Sequence, residues 1–107
     1  MKSASDAFQQ LVEDQLDVMA NLRFRRMFGG FGLYAGEIFF GIIHGGKLYF
    51  HTNPHTRKRY EEAGTTFFVT PGSRKAALKK YYEVPLAIVE QKREFVRWAR
   101  EAVASVE

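Results

Sequence analysis

The chain has 107 residues, enough for one domain with a modest core. Hydrophobic residues make up 46% of it and aromatics 15%, which excludes a disordered chain. There is no cysteine, so disulfides, thiolate metal sites and thiol nucleophiles are excluded, and the net charge is +4.

Met1 to Asp6 lacks the apolar run of a signal peptide, and no stretch approaches the roughly 20 apolar residues of a membrane span. A cytoplasmic protein with no membrane contact is expected. Ser5 is read as the cap of a first helix, and Phe8, Leu11, Val12, Leu16 and Met19 recur at helical spacing behind it. Asp6 suits the positive end of the helix dipole, Glu13, Asp14 and Asp17 decorate the outer face, and Asn21 is the expected stop. Arg23 to Phe28 then reads as extended. Gly29-Gly30-Phe31-Gly32 is too flexible for a helix, and Leu33-Tyr34 resumes strand character before a turn at Ala35-Gly36. How far the first strand runs through the glycines stays open. Glu37 to His44 holds Ile38, Phe39, Phe40, Ile42 and Ile43, the pattern of a central buried strand. Gly45-Gly46 is a two-residue hairpin signal, and Lys47 to Thr52 is the return strand of a three-stranded antiparallel meander.

Asn53-Pro54 opens a short helix over Thr56 to Ala63, ended by Gly64. Thr66 to Val69 is a short strand, Pro71-Gly72-Ser73 a loop, and Leu78 to Glu83 a fifth strand broken by Pro85. The last helix carries Phe95, Trp98, Ala99, Ala102, Val103 and Val106 on one face. The order is α-β-β-β-α-β-β-α in a single domain over residues 1–107. Each long helix has one apolar stripe and must lie on a sheet face. A two-layer α+β sandwich with an antiparallel sheet follows, one sheet face staying more open unless a partner covers it.

Several strings in this order and spacing carry a resemblance. They are Arg26-Met27-Phe28-Gly29-Gly30-Phe31-Gly32-Leu33-Tyr34, then Phe39-Phe40 with Gly46-Lys47-Leu48-Tyr49-Phe50, then Tyr60-Glu61-Glu62-Ala63-Gly64. Tyr81-Tyr82-Glu83-Val84-Pro85 and Phe95-Val96-Arg97-Trp98-Ala99-Arg100-Glu101-Ala102 complete them. Over nearly its whole length the chain resembles the N-terminal domain of the TfoX family of competence regulators. The resemblance implies a fold related to type III secretion chaperones and a bacterial cytoplasmic protein tied to regulation of DNA uptake genes. It supplies no catalytic residues. Full-length members of the family carry a second, helical C-terminal domain, and this chain reads as a stand-alone N-terminal domain.

The remaining motifs are weighed on their chemistry. Phosphate cradles need glycines that lead into a helix N-terminus, whereas Gly29, Gly30 and Gly32 lie between extended segments, so a bulge or tight turn is expected. His44, His51 and His55 share no helix and have no Asp or Cys nearby, so no metal site is expected and they read as strand-end and cap residues. No Ser-His-Asp set or paired carboxylate emerges, and a non-catalytic domain without cofactor is expected.

Residues 21–60 hold seven Lys or Arg against Glu37, a basic excess that attracts phosphates or acidic partners. The residues that could make such contacts are Arg25, Arg26, Arg57, Lys58, Arg59, Lys79 and Lys80, with Arg74-Lys75 beside them in sequence. Three readings follow. The first is a regulatory protein-interaction module, its open sheet face or helix stripe covered by a protein partner or a second copy. The second is an accessory nucleic-acid-binding domain. The third is an enzyme or small-ligand protein with a site near the glycine cluster, Tyr34 and His51. Clustering of the basic residues on one face favours nucleic acid; scatter favours protein contact.

Overall fold

The computed structural model describes residues 4–27, 29–72 and 74–106. Phe28, the end of the first expected strand, and Ser73, in the expected loop, lie outside them. The elements are α1 (Ala4–Gln15), β1 (Leu22–Met27), β2 (Gly30–Ala35), β3 (Ile38–His44) and β4 (Lys47–His51), followed by α2 (Arg57–Glu62), β5 (Phe67–Val69), β6 (Ala77–Glu83), α3 (Leu86–Val89) and α4 (Lys92–Val106). One six-stranded antiparallel sheet runs β1-β2-β3-β4-β6-β5. The α+β class and the element order stand. Two elements are finer than the sequence pattern separates. The glycine-interrupted first strand is a β1–β2 hairpin, making the meander four-stranded, and the single turn α3 precedes the last helix.

Helix ends move more than helix identities. Ser5 lies inside α1 rather than at its cap, a shift within the usual blur of helix boundaries. The helix stops at Gln15, well before Asn21, but the chain keeps coiling: Met19 N–H donates to the Leu16 carbonyl at 3.0 Å. That continued turn is why Leu16 and Met19 keep helical spacing and still reach the core. Asn21, at φ 60°, then swings the chain into β1. Leu11 sits at the margin of the α1 stripe and is exposed.

The core lies between the helices and one sheet face. Antiparallel register pairs Leu33 with Gly41, Phe31 with Ile43, Ile43 with Leu48 and Gly41 with Phe50. Strand alternation therefore turns Phe31, Leu33, Ile43, Leu48 and Phe50 to the same face. A register shift after Leu33 pairs Tyr34 with Phe39, leaving Phe40 as the extra residue. The bulge turns Phe40 into the same core. Val12 of α1, Leu16 just after it, and Phe95, Trp98, Ala99 and Ala102 of α4 seal it. The Phe50 and Phe95 rings stack with centroids 5.6 Å apart, and Tyr60 lies 4.8 Å from Trp98. Such ring pairs add about 0.5–1.5 kcal/mol beyond the area they bury.

The opposite face carries aromatic side chains of the sheet itself. Tyr34, Phe39, Tyr81 and His51 form a row with successive ring separations of 5.1, 5.4 and 5.1 Å. Met27 lies across Gly32, and Tyr49 packs on Phe68 at 4.9 Å. Ile42, pointing to this side, is fully buried. Tyr34, Phe39, Tyr49 and Tyr81 stay partly exposed here, so this is the more open of the two sheet faces, as two-layer packing predicts.

Candidate contact groove

The surface next to the core is set by α4. Its apolar stripe faces the sheet, while Arg93, Arg97, Arg100 and Ala104 recur three or four residues apart on the exposed side. At the border between the two sides sits Val96, 9% exposed. The chain leaving α1 places Val18 beside it, 56% exposed although apolar. Together Val18, Val96 and Ala104 floor a shallow groove of about 760 Å³, rimmed by Lys92, Arg93, Arg97, Arg100 and Glu101. A smaller hollow of about 340 Å³ shares Val18 and Arg100 and adds Met19, Ala20, Ala35 and Val103.

The rim is only partly neutralised. Lys92 Nζ lies 2.7 Å from Asp17, holding the α1–β1 connection against α4. Arg97 pairs with Glu94 at 2.7 Å. Glu101 is taken by Arg59, whose guanidinium lies 4.5 Å from the Trp98 ring centroid. Among the described residues Arg93 and Arg100 have no such acid, so the groove is apolar at its floor and positive at its edge. Nothing in residues 84–107 announces this, because their Lys and Arg equal their Glu in number. The geometry separates the charges that composition balances. The legible signal is the spacing of Arg93, Arg97, Arg100 and Ala104.

The seven basic residues singled out from sequence scatter. Arg25 and Arg26 take opposite faces of β1: Arg25 pairs with Gly32 in the sheet, while Arg26 reaches Asp6 at 3.3 Å and lies over Phe31 at 5.0 Å. Arg57 folds back, its Nε donating to Thr52 Oγ1 at 2.9 Å and its guanidinium lying 5.8 Å from the Tyr82 ring. Lys58 is exposed, whereas Arg59 turns inward to Glu101. Lys79 and Lys80 lie exposed on β6, separated from β1 by three strands, roughly 19 Å at the usual strand spacing. Arg57 and Arg59 are thus spent on internal contacts, while Arg26 stays exposed in a surface pair with Asp6.

The glycines serve the backbone. Gly29 turns the chain at φ 78°. Gly30 and Gly32 are strand residues, and the bulge expected near them lies across from Leu33 in β3. A Cβ at Gly30 would stand 1.9 Å from the Ile43 carbonyl oxygen, so β2 can approach β3 there only without a side chain.

The histidines stay apart. His44 ends β3 against Phe68, and His55 is exposed before α2, where Asn53 Oδ1 accepts from the His55 and Thr56 backbone N–H groups. His51 Nδ1 lies 2.7 Å from the Ser105 hydroxyl, tying the end of β4 to α4. Burial, with Lys80 and Arg57 nearby, holds the His51 imidazole below its ordinary range and favours the neutral ring. Burial likewise pushes the Tyr81 phenol up to about 12. Tyr34 and His51 end a row of packed rings, and the hollow beside Tyr34 is lined by Arg23, Phe24 and Arg25. Among the described residues no three His, Asp or Glu side chains gather as metal ligands. No helix among them is long and apolar enough to cross a membrane.

These features define an α+β domain with helices on one side of an antiparallel sheet and its main groove on the outside of the last helix. The chain belongs to the TfoX N-terminal domain family, whose model matches residues 14–106. No curated protein matches it significantly.

Proposed function

We propose that this chain is a non-catalytic regulatory domain of the competence-regulator kind, acting in the bacterial cytoplasm by binding another protein through the α4 groove. Family membership supports the regulatory part. The single observation that carries the contact part is Val18, a valine left 56% exposed in the lining of a groove beside a helix whose Phe95, Trp98, Ala99 and Ala102 are buried on the other side. Exposed apolar floors with a charged rim are the surfaces that proteins use to bind proteins. The scatter of the basic residues supports protein contact over nucleic acid, since phosphate tracking needs cations along one path.

The test is complementation. Deleting the gene should change transcript levels of DNA-uptake genes, and the wild-type chain should restore them. Val18→Asp, which charges the groove floor at an exposed position, should fold with unchanged thermal stability and fail to restore them. Full restoration by a folded Val18→Asp chain contradicts the proposal.

A further inference from the structure

We infer that the α4 groove takes an acidic amphipathic helix from a different protein. The inference rests on the contact reading above and names the chemistry of the partner. The first observation is shape. From Arg93 to Ala104 the helix rises about 16 Å, three turns, so a facing helix of about 11 residues covers the groove. The floor of Val18, Val96 and Ala104 suits an apolar stripe on such a helix. The second observation is charge. Among the described residues no acid pairs with Arg93 or Arg100 on the rim, and Arg97 and Lys92 add cations already held by Glu94 and Asp17. Carboxylates flanking the apolar stripe of the incoming helix complement that rim.

The same charges argue against a second copy. A two-fold dimer centred here sets the same patch against itself, so Arg93, Arg97 and Arg100 would face their own equivalents. Such like-charge juxtaposition opposes association. The acidic face of α1 offers no closed alternative. Glu13 and Asp14 docking on the groove of another copy is a head-to-tail contact, which closes only if its rotation happens to form a ring.

The experiment uses the full chain and a fluorescent helical peptide of about 14 residues. Leucines stand at i, i+3, i+4 and i+7, and glutamates flank them. The same peptide with lysine for glutamate is the charge control. Backbone amide shifts should move at Val18, Val96 and Ala104 with the acidic peptide and stay still with the basic one. Arg93→Glu/Arg100→Glu should weaken acidic-peptide binding by roughly tenfold or more, and added salt should weaken wild-type binding. Arg74→Glu/Lys75→Glu changes net charge equally at exposed positions in the β5–β6 loop and should bind as wild type does.

The inference is overturned if the acidic peptide moves no groove amide, if both peptides bind alike, if the two double variants lose binding equally, or if groove shifts appear on raising the concentration of the chain alone. Its failure is separable from failure of the contact reading. No acidic-peptide binding together with a Val18→Asp chain that fails to complement rejects the acidic helix and leaves the groove as the contact surface. A Val18→Asp chain that complements fully rejects both.

Discussion

Gly30 stands where β2 passes against the backbone of β3, and it is a sharp residue-scale test of the packing. Its missing Cβ would meet the backbone oxygen of Ile43, an atom that cannot swing aside as a side-chain tip could. Gly30→Ala should therefore destabilise the fold by about 3 kcal/mol or more, the upper end for overpacking, measured by chemical denaturation. A loss below 1 kcal/mol would mean that the two strands separate readily. Phe50 makes the converse point. It is fully buried and stacked on Phe95, so Phe50→Ala should cost about 3–5 kcal/mol by the same measurement. His51 adds a pH dependence. Its folded value lies below that of an unfolded histidine, so the unfolded chain binds more protons between the two values. Stability should be complete above about pH 6.5, fall as pH drops through the folded value, and level off below it. His51→Gln should flatten that slope in denaturation midpoints measured across the window; an unchanged slope would place its origin elsewhere. At this scale the sequence is informative about identity and silent about neighbours. Phe50 is recognisable as a core residue, but that Gly30 meets Ile43 and His51 meets Ser105 depends on pairings across 13 and 54 positions.

Elements whose signals are local are the ones legible in the chain. The Gly45-Gly46 pair reads as a hairpin and forms one, with both glycines at positive φ, 60° and 75°. Gly46→Val should cost about 1–2 kcal/mol, because a β-branched residue resists the left-handed region, whereas Gly46→Asn should cost less. Thermal melts of the two variants order them; equal melting temperatures would contradict the turn geometry. The last helix is legible on its buried side, from Phe95 to Ala102. Its exposed side is not, since a helix pattern marks which residues leave water and says nothing of what lies beside those that stay. The β1–β2 hairpin is hidden for another reason: its turn sits in a run of glycines that admits several conformations, and only pairing with β3 selects one.

For the whole molecule, the layered α+β architecture follows from the order of amphipathic segments, and the family strings reinforce it. The functional surface does not follow. The central basic excess points to residues 21–60, yet folding uses Arg57 and Arg59 internally and divides the other candidate cations among β1, α2 and β6. The more open sheet face, expected from two-layer packing, carries a row of partly exposed aromatic residues. What remains is a groove assembled from Val18, after the first helix, and α4, some eighty residues later, a juxtaposition that exists only in the folded chain.

The most direct test of that surface is site-specific photo-crosslinking in living cells. A photoreactive amino acid is placed singly at Val18, at Ala104, and at Leu86, which is equally exposed but lies on α3 away from the groove. Groove contact predicts one discrete protein adduct from positions 18 and 104 and none from position 86. Adducts from position 86 alone, or none from either groove position, would contradict it.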